Sequence, residues 1–121
     1  MTEATESDRT IRIFLLDDHE VVRRGIAELL STVPDFEIVG EAGTAEQALS
    51  RVMASKPDVA VLDARLPDGS GIDVCREIRS ALPATYCLIL TSYDDQDAVL
   101  SSVLAGASGY VLKEVRTSFS T

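Results

Sequence analysis

Five short apolar runs, separated by stretches with helical spacing, set the main constraint on how this chain folds. The runs are Ile11–Leu16 (IRIFLL), Phe36–Ala42 (FEIVGEA), Asp58–Asp63 (DVAVLD), Tyr86–Ser92 (YCLILTS) and Gly109–Lys113 (GYVLK). Between them, apolar residues recur at the 3.6-residue period of one helix face. The first such stripe is Val22, Ile26, Leu29, Leu30 and Val33, ended by Pro34-Asp35; the second is Ala45, Ala48, Leu49, Val52 and Met53, ended by Lys56-Pro57. Thr44-Ala45-Glu46-Gln47 opens the second helix in the form of a capping box, in which side chain and backbone satisfy each other's amides. Pro67–Gly71 reads as a loop, Ile72, Cys75, Ile78 and Leu82 as a third helix, and Asp95 to Leu104 as a fourth, with Val99, Leu100, Val103 and Leu104 inward. The run at 58–63 is apolar without alternation, as a central strand covered on both faces should be. Strict alternation of strand and helix predicts an α/β fold, a doubly wound parallel five-stranded sheet with right-handed crossovers.

With 121 residues and 45% hydrophobic content, the chain has the size and core of one domain. Residues 1–10 are polar and acidic and read as a flexible tail; residues 11–114 hold the domain. After Lys113 eight residues remain, EVRTSFST, too few and too polar for a full fifth helix. Residues 115–121 therefore read as a tail or the start of a linker. The last sheet face is then covered by a partner, or the chain is a fragment of something longer. The net charge of −9 repels phosphate backbones and argues against direct nucleic-acid binding. The N-terminus has no apolar core for a signal peptide, and no run reaches membrane-spanning length, so the expected location is cytoplasmic. Cys75 and Cys87 lack metal-ligand spacing and read as small buried thiols in a reducing compartment.

In open parallel sheets, ligands gather at the carboxyl ends of the strands, near the switch in strand order. Those ends are chemically loaded here. The first strand delivers Asp17 and Asp18, the third Asp63, the fourth Thr91 and Ser92, and the fifth Lys113. Adjacent carboxylates repel and resist desolvation, so a cation should answer them. Carboxylate oxygens suit Mg²⁺, which keeps several waters and shares its shell with phosphate. Three acids, a metal and a lysine suggest phosphoryl chemistry. Asp63, alone at the central strand's end, is the natural nucleophile, with metal and Lys113 neutralising the equatorial oxygens and Thr91 donating a hydrogen bond. His19 reads as a partly exposed residue opening the first helix, because this site asks for oxygen donors.

Together, LLDDH, VAVLDARLPDGSG, LILTS and AGASGYVLK resemble the receiver domain of bacterial two-component response regulators, from Ile11 to about Glu114. DDHEVVRRG and AGASGYVLK are most similar to the NarL/FixJ branch with LuxR-type helix-turn-helix output. Within it they resemble the actinobacterial DevR/DosR group of dormancy regulators. The resemblance implies a flavodoxin-like sheet of order 2-1-3-4-5. It also implies that Asp63 accepts a phosphoryl group from a sensor histidine kinase. Mg²⁺ would be ligated by Asp18 and Asp63, by Asp17 mainly through water, and by the carbonyl of Arg65. Thr91 and Tyr110 would be the switch pair, with Ser92 beside Thr91 and Lys113 on the phosphoryl oxygens. A homodimer on activation is implied, with DNA bound by an output domain absent from this chain. Glu114 stands where the family often has proline.

The implied role is a regulatory phosphoacceptor rather than an enzyme with turnover. Two other classes share the composition: a receiver-like interaction module whose site is silent, and a metal-dependent phosphohydrolase with an aspartate nucleophile. The latter is disfavoured by the lack of an Asp-x-Asp motif at the nucleophile and of any evident substrate pocket.

Overall fold

The structure is a computed structural model that describes residues 10–92, 100, 101 and 104–113, with the backbone alone given for Ser92, Leu112 and Lys113. Strands β1 (Ile11–Leu16), β2 (Phe36–Ala42) and β3 (Val59–Asp63) alternate with helices α1 (Glu20–Ser31) and α2 (Ala45–Ser55). A two-residue ribbon, β4 (Arg65–Leu66) with β5 (Gly69–Ser70), leads into α3 (Gly71–Ala81), followed by β6 (Tyr86–Ser92) and β7 (Gly109–Lys113). The main sheet has the order β2-β1-β3-β6-β7, and every pairing in it is parallel. The expected architecture is therefore present, with β3 at the centre.

Strand alternation divides the core. Phe14, Leu16, Ala60, Leu62, Cys87 and Ile89 point to one face, where Ala48 and Val52 of α2 and Val74, Cys75 and Ile78 of α3 cover them. Ile13, Leu15, Val59 and Val61 point to the other, against Ile26, Ala27 and Leu30 of α1. Each large side chain removed from water contributes roughly 1.5–3 kcal/mol. The first face is the drier one: Ala60 and Leu62 are fully buried, whereas Val59 and Val61 are only partly so.

Some details differ from expectation. In α1, Leu29 is 70% exposed. Neighbouring residues on a helix point about 100° apart, and the buried arc centres on Ile26, Ala27 and Leu30, leaving Leu29 outside it. Leu100 and Leu104 face outward, at 62% and 75% exposure. Ala105 is buried instead, with its amide bonded to the Ser101 carbonyl at 2.9 Å. The Pro67–Gly71 loop contains β5 of the ribbon. The rest of the fourth helix, any fifth helix, residues 1–9 of the N-terminal tail and residues 115–121 lie outside the described residues.

The α2 capping box forms in altered shape. Thr44 Oγ1 accepts from the Gln47 amide at 3.2 Å, but Gln47 Oε1 accepts from Gly43 N rather than Thr44 N. The remaining amides are met from afar: Asp68 accepts from Ala45 N at 2.8 Å and Glu46 N at 3.2 Å. These bonds, that from Ala45 first, hold the Asp68 carboxyl below the usual aspartate range against an opposing desolvation effect.

Candidate functional site

The order of the sheet reverses at β1 and β3, and the acids sit at the crevice this creates. β1 ends at Leu16, and Asp17 continues beside β2 through its amide to the Ala42 carbonyl at 3.1 Å. Asp17 is 1% exposed and its Oδ1 accepts from His19 N at 2.9 Å, turning the chain into α1. Asp18 stands beside it, more open to solvent. Asp63 closes β3 at 4% exposure, and its Oδ1 accepts from Arg65 N at 3.3 Å.

Asp17, Asp18, His19 and Asp63 each offer one ligand atom, all within 4.8 Å of one another. A divalent cation fits such a donor set. His19 belongs to this group more closely than its sequence context suggested. It precedes the first turn of α1, with its side chain largely exposed, yet Nδ1 lies 3.3 Å from oxygens of both Asp17 and Asp18. Imidazole beside two acids carries no sequence signal beyond adjacency.

Thr91 is the other component. It is 2% exposed, and its Oγ1 has no hydrogen-bond partner among the described residues. A buried hydroxyl left unpaired costs roughly 1–3 kcal/mol, so Thr91 is poised to donate wherever an acceptor comes within reach. Pairing of Asp63 with Leu90 sets the end of β3 one residue short of Thr91 on the neighbouring strand. Pairing of Ser92 with Lys113 brings the last residue of β7 to the same edge. The backbones of Thr91, Ser92 and Lys113 are thus gathered at the carboxyl end with the acids; the side chains of Ser92 and Lys113 are outside the described set. Tyr110 pairs with Ile89, lies on the Thr91 side of the sheet and is 46% exposed, an outward placement.

Gly71 explains how α3 can start so close to the site. A Cβ there would lie 1.9 Å from the Asp63 carbonyl oxygen, so only glycine lets the helix abut the end of β3. Behind α3, Cys75 and Cys87 meet in the core. The Cys87 thiol is pushed up, first by its hydrogen bond with Cys75 and then by burial. Both thiols are buried, as expected.

Fold and site together define the class: a doubly wound α/β domain with an acidic, cation-ready cluster at its topological switch point. The chain belongs to the response regulator receiver domain family, whose profile it matches over residues 13–118. It is 56% identical over 106 residues to the DNA-binding transcriptional activator DevR/DosR of Mycobacterium tuberculosis, covering 88% of this chain and 49% of that protein. Among solved structures, the receiver domain of a putative response regulator NarL from Mycobacterium tuberculosis is similar with a TM-score of 0.82 and 34% identity, covering 88% of this chain and 86% of that one. A LuxR-family response regulator from Aurantimonas gives a TM-score of 0.81 and 39% identity, covering 87% of this chain and 75% of that one. The chain spans about half the length of the curated relatives it matches. Among the described residues, no helix is long and apolar enough to cross a membrane.

Proposed function

We propose that this domain is a phosphorylation-operated switch in which Asp63 accepts a phosphoryl group from the phosphohistidine of a sensor histidine kinase. The observation that carries the reading is the convergence of Asp63, buried at the end of the central strand, with Asp17 and Asp18 inside one ligand-sized space. In the transfer, a carboxylate oxygen of Asp63 attacks phosphorus as the P–N bond breaks. The imidazole leaves with the bonding electrons and takes up a proton. Asp18, Asp63 and the Arg65 carbonyl would hold Mg²⁺, with Asp17 acting through water, and the ion would supply charge neutralisation on the phosphoryl oxygens.

The chain's own residues do the rest. The Arg65 amide orients Asp63. Thr91 donates its hydroxyl to a phosphoryl oxygen, Ser92 lies beside it, Lys113 supplies a second cation, and Tyr110 changes rotamer as β6 and β7 adjust. These contacts exist only after phosphorylation and so shift a pre-existing equilibrium. The output is regulation of transcription in the cytoplasm. It runs through homodimerisation and a DNA-binding helix-turn-helix domain outside residues 1–121, with residues 11–114 as the receiver. The DNA-binding description of the DevR/DosR relative supports this assignment.

The test is incubation with acetyl phosphate and Mg²⁺ followed by intact mass. The parent chain should gain one phosphoryl group, and Asp63→Asn should gain none. No gain in the parent would favour a silent interaction module. Repeated turnover of phosphodonor, without accumulation of labelled protein, would favour a phosphohydrolase.

A further inference from the structure

The geometry points to Arg23 as a positioning residue that sets the metal affinity of the acid pair, an inference resting on the proposed metal-dependent site. Arg23 lies in the first turn of α1, where a positive charge opposes the helix dipole. Its side chain is only 15% exposed, and buried arginines require partners. It has two. Nε donates to Glu41 Oε1 on β2 at 3.0 Å, and Nη1 donates to the Asp17 carbonyl at 2.5 Å.

The second bond matters most. The Asp17 carbonyl belongs to the peptide plane that joins Asp17 to Asp18. Because that unit is planar, holding the carbonyl holds the plane that contains both Cα atoms, and so limits where the two acid side chains start. The amide of Asp17 is held from the other side by the Ala42 carbonyl. Glu41 is itself anchored, since its carbonyl accepts from Arg51 Nη1 of α2 at 2.7 Å. The chain α2, Arg51, Glu41, Arg23, Asp17 therefore transmits the rigidity of the layered core to the mouth of the site. Arg23 touches no described metal-ligand atom; it acts through the backbone. Groups that orient ligands in this way typically carry about 10–100-fold in metal affinity.

The test is Mn²⁺ titration by electron paramagnetic resonance, in which the signal of the free ion is lost on binding. It is applied to the parent chain, Arg23→Met, Arg23→Lys and Glu41→Gln, with urea unfolding alongside. Arg23→Met should weaken Mn²⁺ binding by about 10-fold or more. Arg23→Lys should be weakened comparably while remaining folded, because one ammonium cannot reproduce the two-point fork. Glu41→Gln, which keeps an acceptor oxygen, should lose less. If Arg23→Met does not fold, Arg23→Lys decides. Affinity within about twofold of the parent in any folded Arg23 variant overturns the proposal. A parent that binds Mn²⁺ yet takes no phosphoryl group sinks the phosphoacceptor reading, while the Arg23 effect on Mn²⁺ is still read. A parent that binds no Mn²⁺ overturns both.

Discussion

Gly71→Ala should damage stability and phosphorylation together, whereas the same change at Gly25 should improve stability. At Gly71 the new Cβ would sit 1.9 Å from the Asp63 carbonyl oxygen, 2.8 Å from its carbonyl carbon and 3.3 Å from Leu62 Cβ. Comfortable contact is roughly 3.5 Å, so something must move by about 1.6 Å. The obstacle is backbone, and it is pinned: Ala64 N donates to the Leu90 carbonyl at 2.8 Å and Gly71 N to the Ala64 carbonyl at 3.1 Å. Overpacking of this kind costs about 1–3 kcal/mol. The displaced backbone is that of Asp63, the phosphoacceptor on the proposed reading, and a misplacement of about 1 Å costs on the order of 100-fold in rate. At Gly25, an exposed position within α1, an added Cβ meets nothing within 4 Å. Alanine there should add about 0.5–1 kcal/mol through helix propensity. Urea unfolding followed by far-ultraviolet circular dichroism reads the stabilities, and acetyl phosphate labelling reads the site. A Gly71→Ala chain with the parent's midpoint and labelling rate would refute the steric argument.

Asp68 should give α2 a pH-dependent cap. Its folded pKa is lowered, so its contribution is present above the ordinary aspartate value of about 3.9 and is lost as pH falls through the lowered one. Urea unfolding of Asp68→Asn should show a deficit against the parent near neutrality that closes in acid; a constant gap at all pH values contradicts this. Thr91→Val, which keeps the side-chain shape and removes the orphaned hydroxyl, should stabilise the unphosphorylated chain by about 1 kcal/mol. It should also blunt any phosphorylation-dependent dimerisation measured by sedimentation. Loss of stability in Thr91→Val would mean that the hydroxyl is already satisfied.

The strands were legible because a parallel sheet buries both faces of its inner strands. Ile11–Leu16 and Tyr86–Ser92 are therefore dense apolar runs, and the first polar residues at their carboxyl ends mark where the site begins. The same logic brings Asp17, Asp18, Asp63 and Thr91 to one edge from the sequence alone. Contacts made by long side chains between distant segments were not legible. Nothing near Asp68 announces that it caps a helix beginning at Ala45, and nothing near Arg23 announces Glu41. The ribbon β4–β5 carries no sequence signal, because two-residue strands have no periodicity to detect. Leu29 and Leu104 misled because apolar spacing gives the width of a stripe and not its centre. Small residues such as Ala27 and Ala105, weak in any hydrophobic count, occupy the closest approach.

On the proposed reading, magnitudes decide how the switch must be built. Moving a two-state equilibrium from 1:99 to 99:1 takes about 5.5 kcal/mol of differential interaction. Satisfying the Thr91 hydroxyl supplies roughly 1–3 kcal/mol of this, which alone leaves a mixed population. A charge-assisted contact from Lys113 to the phosphoryl group would add about 1.5–3 kcal/mol. The two together only just span the requirement, so neither residue can be spared. Their backbones lie on adjacent strands, with Ser92 paired to Lys113, so both contacts draw on the same edge of the sheet. A phosphoryl group on Asp63 would therefore act on β6 and β7 as one unit. The outward Tyr110 side chain, which shares the Thr91 face, would be the first large group to register that movement.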